Sequence, residues 1–197
     1  MPYDYTDAPP PQFELMPHGT TATCVLHLRP GGVGEGGMLK RSKDGGCEML
    51  DCEFTVADGP YKGRKFWEYW VLVGTTDGHA KSIDRNRGTI KAILDSAFGL
   101  NPEDRSPKAR ATRNVSLGQL EGITFIGKIG IEKGGPKNDG SGENWTDKNI
   151  LMGVITPDKK DWHPVEQPPP FNGGNSGGAA PTAPSGSAPP IERPEWA

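Results

Sequence analysis

The chain has 197 residues, of which only 33% are hydrophobic, with 28 glycines, 20 prolines and a formal net charge of −3. It contains no apolar run of about 18 residues, which excludes a transmembrane helix, and its start, MPYDYTD, predicts no signal peptide. An odd count of three cysteines in a chain predicted to be unsecreted indicates reduced thiols.

Proline and glycine concentrate at the two ends of the chain. Residues 164–197 are too poor in apolar side chains to fold alone and are predicted to be a disordered Pro/Gly-rich tail. Residues 1–19 form a predicted N-terminal extension that holds three acids and no Lys or Arg. The body between them, residues 20–163, contains every basic residue except Arg193 and is therefore mildly basic. Charge alone does not establish a nucleic-acid partner.

Three strands are predicted in the first part of the body, over residues 20–29, 47–57 and 64–74. In the third strand Phe66 and Trp70 point one way, and Trp67 and Tyr69 point the other way. Either this strand is buried on both sides, or one aromatic face is used for binding. Because Trp70 is in register with Phe66, we place it in the core.

One amphipathic helix follows. It is predicted to start near Ser82 or Asp84, to carry a single apolar stripe, and to end at Gly99. A polar basic loop is expected next, and two further strands over residues 122–132 and 148–155. Five strands with a helix between the third and fourth predict an all-β, five-stranded OB-like barrel, a fold that mostly binds oligonucleotides.

Cations and aromatic rings alternate around the third strand and in the long Gly-rich loops that precede the second and fifth strands. Rings stack on bases, while Lys and Arg neutralise phosphates. Trp145 is either a binding residue or a loop anchor, and Lys128 lies opposite the apolar face of the fourth strand. The candidate nucleic-acid-binding residues are Lys40, Arg41, Lys43, Tyr61, Lys62, Arg64, Lys65, Trp67, Tyr69, Lys128 and Trp145.

No catalytic residue, cofactor or metal site is predicted. The Gly-rich loops lack the Gly-Lys-Ser/Thr ending of a phosphate-binding loop. Cys24 and His27 face opposite ways on one strand, as do Cys47 and Cys52, so Cys24 and Cys52 are better explained as small buried side chains than as zinc ligands. An enzyme is the least favoured class, since the carboxylates form no paired motif.

Several segments together resemble tailed-phage single-stranded DNA-binding proteins, a family with an OB-like fold that was formerly a phage domain of unknown function. They are EFTVADGPYKGRKFWEYWVLVG, IDRNRGTIKAILDSAFG, LEGITFIGKIGIEKG and DKNILMGVITP, and their order and spacing carry the resemblance over about residues 20–157. The resemblance implies sequence-tolerant binding of single-stranded DNA in phage replication or recombination, in the cytoplasm of an infected bacterium. It leaves a homo-oligomer open and implies no membrane partner.

The tip of the tail resembles the acidic, hydrophobic tips with which many single-strand-binding proteins hold replication partners. Its candidate partner-binding residues are Ile191, Glu192, Glu195 and Trp196. The alternative is an unstructured end with no partner. For the whole chain, two other classes stay open: an OB-like adaptor that binds protein in a replication or recombination complex, and a virion or other structural β-protein.

Overall fold

The computed structural model describes residues 14–137 and 141–167. It contains a mostly antiparallel sheet, two α-helices and three short 3-10 turns. The strands are β1 Thr20–Leu28, β2 Leu39–Arg41, β3 Cys47–Val56, β4 Lys65–Gly74, β5 Thr124–Glu132 and β6 Lys148–Val154; the helices are α1 Asp77–Phe98 and α2 Pro107–Arg113. None of the helices in this part of the chain is long and apolar enough to cross a membrane.

The sheet runs in the order β4-β3-β1-β5-β6, and all its pairs are antiparallel. β4 pairs with one edge of β3 along almost the whole length of β3. The opposite edge of β3 is shared, with β2 beside Glu48–Leu50 and β1 beside Cys52–Val56. The five strands predicted from alternation are therefore confirmed, and β2 is an addition to them.

The predicted closed barrel is wrong, because no backbone ladder joins β4 to β6 among the described residues. Side chains satisfy backbone groups in this open seam instead. The carboxylate of Glu68 on β4 accepts the backbone N–H of Leu151 on β6. Farther along β4, the Asn86 amide of α1 donates to Val71 O at 3.0 Å. An unpaired buried backbone group costs free energy, so these side chains substitute for a strand partner.

The expectation of a single helix is also wrong. The predicted basic loop contains α2, which begins at the cap Ser106, whose hydroxyl accepts the N–H of Ala109, with Pro107 in the first turn. Arg113 at its end points inward and donates to Asp95 on α1 at 2.6 Å. The sequence of α2, PKARATR, has no apolar stripe, and only Ala109 is buried. This is why the sequence pattern does not predict the helix.

Helix α1 begins earlier than the expected Ser82 or Asp84. Its cap is Thr76, whose hydroxyl accepts the N–H of His79, and the first turns are mostly exposed. The predicted end is confirmed, since Gly99 adopts a left-handed conformation with φ of 65° and closes the helix.

The core lies between the inner face of the sheet and α1. Its aromatic centre is Phe54 on β3, whose ring is stacked at 4.9 Å on Phe66 and lies 5.5 Å from Trp70 and 6.1 Å from Phe125. Trp70 is 3% exposed, which confirms its predicted core position. Burying side chains of this size is the main stabilising contribution to the fold.

Segments on both sides of the predicted body pack against it. Met16, from the predicted N-terminal extension, is buried in the core and is held through its backbone by the Asn149 side chain. At the other end, Gln167 donates to Ala97 O and exchanges two hydrogen bonds with the backbone of Thr124. Residues 168–197, with the predicted tail tip, lie outside the described residues.

Candidate nucleic-acid interface

The outward side chains of β3 and β4 form one surface, which we call the aromatic face. The strand register places Trp67 opposite Glu53 and Tyr69 opposite Asp51. Trp67 is 45% exposed and Tyr69 55% exposed, whereas Phe66 and Trp70 are buried on the other side of the same strand. Alternation along β4 therefore divides its aromatic residues into a core set and a surface set.

Lys40 extends from β2 to the aromatic face. Its Nζ lies 5.2 Å from the centroid of the Tyr69 ring, 3.4 Å from the Tyr69 hydroxyl and 3.4 Å from a carboxylate oxygen of Asp51. These two neighbours, the hydroxyl first, raise the pKa of Lys40 above its usual value, so the amine is charged at neutral pH. A cation over an exposed ring can contact a phosphate while the ring contacts its base.

The cations of this face are paired with carboxylates that lie beneath them. Lys65 contacts Glu53 at 2.5 Å, and the side chains are 48% and 17% exposed. Arg29 contacts Asp51 at 2.5 Å, and here the side chains are 49% and 7% exposed. The positive groups therefore project outward over shielded negative groups, an arrangement that presents cations to an approaching anion even though the local charges nearly balance.

Arg29, Asp51 and Glu53 belong to this surface and were missed as site residues. Alternation places Asp51 and Glu53 on the outer side of β3, and Arg29 follows β1 on its outer side. Combining that alternation with the antiparallel pairing of neighbouring strands would have placed these charged groups beside Trp67 and Tyr69.

The other four candidate cations that precede β4 in the chain lie outside the long strands. Arg41 is paired with Glu48 at 2.8 Å, and Lys43 is exposed in the turn that follows β2. Lys62 is exposed in the turn that precedes β4, and the Arg64 guanidinium donates to the backbone carbonyl of Glu14. These residues lie in or beside the turns that lead into β3 and β4.

Two of the predicted residues are placed elsewhere. The Tyr61 side chain is half-buried and packs against the core, so it offers no free ring. Lys128 on β5 lies opposite Thr21 of β1, six residues from His27, which pairs with Glu53. Six strand residues span about 20 Å, so the structure does not bring Lys128 to the aromatic face.

Trp145 lies in the hairpin that connects β5 to β6 and is 65% exposed. Its backbone N–H donates to Gly135 O at 2.8 Å, and Lys137 Nζ lies 5.5 Å from its ring centroid. A Cβ on Gly134 would lie 1.6 Å from Trp145 O, so only glycine allows this close crossing of the two arms. The exposed ring repeats the cation–aromatic pairing seen at Tyr69.

A cavity of about 700 Å³ opens between the first residues of β4 and β6, beside Trp67. It lies at the open seam and connects the aromatic face with the base of the β5–β6 hairpin. Residues 14–16, 63–67 and 147–149 line it. The aromatic strand β4 and the end of the second predicted Gly-rich loop are thus neighbours, although Trp145 itself does not line the cavity.

Cys24 and Cys52 are buried in the core. Burial raises the pKa of the Cys24 thiol to about 12 and raises that of Cys52 as well, which disfavours the reactive thiolates. Within residues 14–137 and 141–167 no group of three or more His, Cys, Asp and Glu side chains could hold a metal ion.

Comparison with protein-family models, with curated proteins and with solved structures finds no match for this chain.

Proposed function

We propose that this protein binds single-stranded DNA, with little sequence preference, through the aromatic face. The observation that carries the proposal is the pair Trp67 and Tyr69, two large rings exposed side by side on one strand with charged Lys40 over one of them. Each ring can stack on a base of any identity, and each stack is worth about 1–3 kcal/mol.

The spacing of the two rings supports a single strand as the ligand. Residues two apart on a strand project from the same face about 7 Å apart. A single strand can extend and turn its bases outward to such rings, whereas the paired and stacked bases of a duplex cannot reach them. The rings therefore favour unpaired bases.

The strand order supports an OB-like fold as part of the proposal. The order β4-β3-β1-β5-β6, with α1 between β4 and β5, follows the plan of a five-stranded barrel left open at one seam. In such folds the strands equivalent to β3 and β4, with the loops that flank them, hold oligonucleotides. The aromatic face occupies this position here.

The biological setting is proposed from the sequence resemblance. On this view the protein is a non-enzymatic member of the tailed-phage single-stranded DNA-binding family and acts in replication or recombination in the infected cell. The tail beyond Gln167 would hold partner proteins through its acidic, hydrophobic tip.

The proposal is tested by fluorescence anisotropy with labelled single strands of mixed sequence and with the matching duplex. We expect micromolar or tighter binding of the single strand at low salt, weaker binding of the duplex, and a log–log salt slope of about −0.7 for each phosphate neutralised. Binding that is independent of salt, or equal for the duplex, would contradict the proposal and leave a protein-binding adaptor as the better candidate.

A further inference from the structure

The carboxylate of Glu53 lies at the centre of the aromatic face and holds two different donors at once. One oxygen accepts from Lys65 Nζ at 2.5 Å, and the other accepts from the indole N–H of Trp67 at 2.9 Å. Both donors come from β4: Trp67 lies directly opposite Glu53, and Lys65 lies opposite Thr55 and contacts Glu53 diagonally. Each belongs to a side chain that is nearly half exposed.

A phosphate of a bound strand would accept hydrogen bonds from the same two donors. Carboxylate and phosphate oxygens accept the same charge-assisted hydrogen bonds, with similar lengths. A base stacked on Trp67 would bring its own backbone close to the ring's N–H and to Lys65. The hydrogen bonds from Lys65 and Trp67 hold the pKa of Glu53 below its usual range, so the carboxylate is charged at neutral pH.

We propose that Glu53 is an intramolecular competitor of the nucleic-acid phosphate, which occupies the Lys65–Trp67 donor pair in the free protein and is displaced when a strand binds. This inference rests on the proposed function of the face. Binding at this position is then an exchange of one anion for another. Glu53 therefore limits affinity, and the exchange releases no counterion from Lys65.

Asp51, the neighbouring carboxylate on the same face, has a different role. Its side chain is only 7% exposed and is held by Arg29 through two hydrogen bonds and by Lys40 at 3.4 Å. Removing its partners would leave a shielded charge unpaired, which is strongly destabilising. Glu53 is more exposed at 17% and has one more rotatable bond, so it is the carboxylate that a ligand can displace.

The test compares Glu53→Gln with Glu103→Gln by anisotropy over a series of salt concentrations. Both changes remove one negative charge, but the carboxylate of Glu103 is exposed in the α1–α2 connection, where it lies 3.7 Å from Arg105 and far from the aromatic strand in the sequence. Glutamine at position 53 still accepts the Trp67 N–H, so the ring keeps its partner. We expect Glu53→Gln to bind single strands about three- to tenfold more tightly than Glu103→Gln, with a salt slope steeper by about 0.7 because Lys65 is now free.

A double-variant cycle identifies the group that is released. In the wild-type background Lys65→Gln should change the dissociation constant by less than about twofold, whereas in the Glu53→Gln background it should remove the gain. Thermal melts of each variant check that the fold is kept. Equal binding by Glu53→Gln and Glu103→Gln, or weaker binding by Glu53→Gln, would overturn the competitor while leaving the proposed function intact. Failure of the wild type to bind any single strand would overturn the proposed function itself.

Discussion

Replacing Trp67 by alanine separates binding from stability at the aromatic face. The ring is 45% exposed, and its indole N–H donates a hydrogen bond to Glu53. Losing one base stack costs about 1–3 kcal/mol, so the dissociation constant for a single strand should rise about 5- to 150-fold. The free energy of unfolding should fall by about 1 kcal/mol or less, since an exposed ring and one hydrogen bond contribute little to stability.

Two variants make this experiment decisive. Trp67→Phe keeps a ring for stacking and should retain most of the affinity, whereas Trp70→Ala removes a side chain that is 3% exposed and should cost about 3–5 kcal/mol of stability. Anisotropy and thermal melts measure the two quantities on the same samples. An unchanged dissociation constant for Trp67→Ala, or a collapsed melt for Trp67→Ala with a normal one for Trp70→Ala, would refute the assignment of the two faces of β4.

Three further predictions concern the scaffold. Asp95 is fully buried between Lys91 and Arg113, so Asp95→Ala should cost about 3–5 kcal/mol in urea unfolding, and a loss below about 1 kcal/mol would contradict its role in joining the helices. Burial raises the pKa of Glu68 above its usual 4.5, so between the pKa of the unfolded state and that of the folded state the folded protein keeps a proton that the unfolded chain releases. The free energy of unfolding should therefore fall as the pH rises through this range. A Glu68→Gln protein with the same dependence of stability on pH would contradict this. Deleting residues 168–197 should leave the melting temperature unchanged, because the sequence of this segment offers no periodic apolar face to pack on the body. The deletion should abolish capture of replication partners from infected-cell lysate, and the same partners with the full-length and the shortened protein would refute the tail's proposed role.

Alternation was sufficient to predict the five long strands and the division of β4 into two faces. Each side chain's direction follows from its neighbours along the strand, which is why Trp70 was placed in the core correctly. Short or mostly exposed elements carry no such periodic signal. β2 has three residues, α2 buries only Ala109, and the first turns of α1 are mostly exposed, so the sequence predicted loops there.

Two outward-facing rings on one strand can be predicted from the sequence, whereas the pairing of the charges around them cannot. Exposure of Trp67 and Tyr69 is a local property of one strand, but the pairing of Lys65 with Glu53 depends on the register between two strands. The position of Lys128 also depends on strand pairing. Alternation gave its face correctly but not its position along the sheet, which depends on the pairing of β5 with β1.

The most direct test of the central claim is an NMR titration that follows the indole N–H signals while a single strand is added. We expect the signal of Trp67 to shift or broaden. Those of Trp70, whose N–H donates to Glu68 at 2.9 Å, and Trp162, whose N–H donates to Ser96 O at 3.0 Å, should stay in place. An unmoved Trp67 signal in the presence of excess strand, or shifts confined to Trp70 and Trp162, would contradict the claim that the aromatic face binds single-stranded DNA.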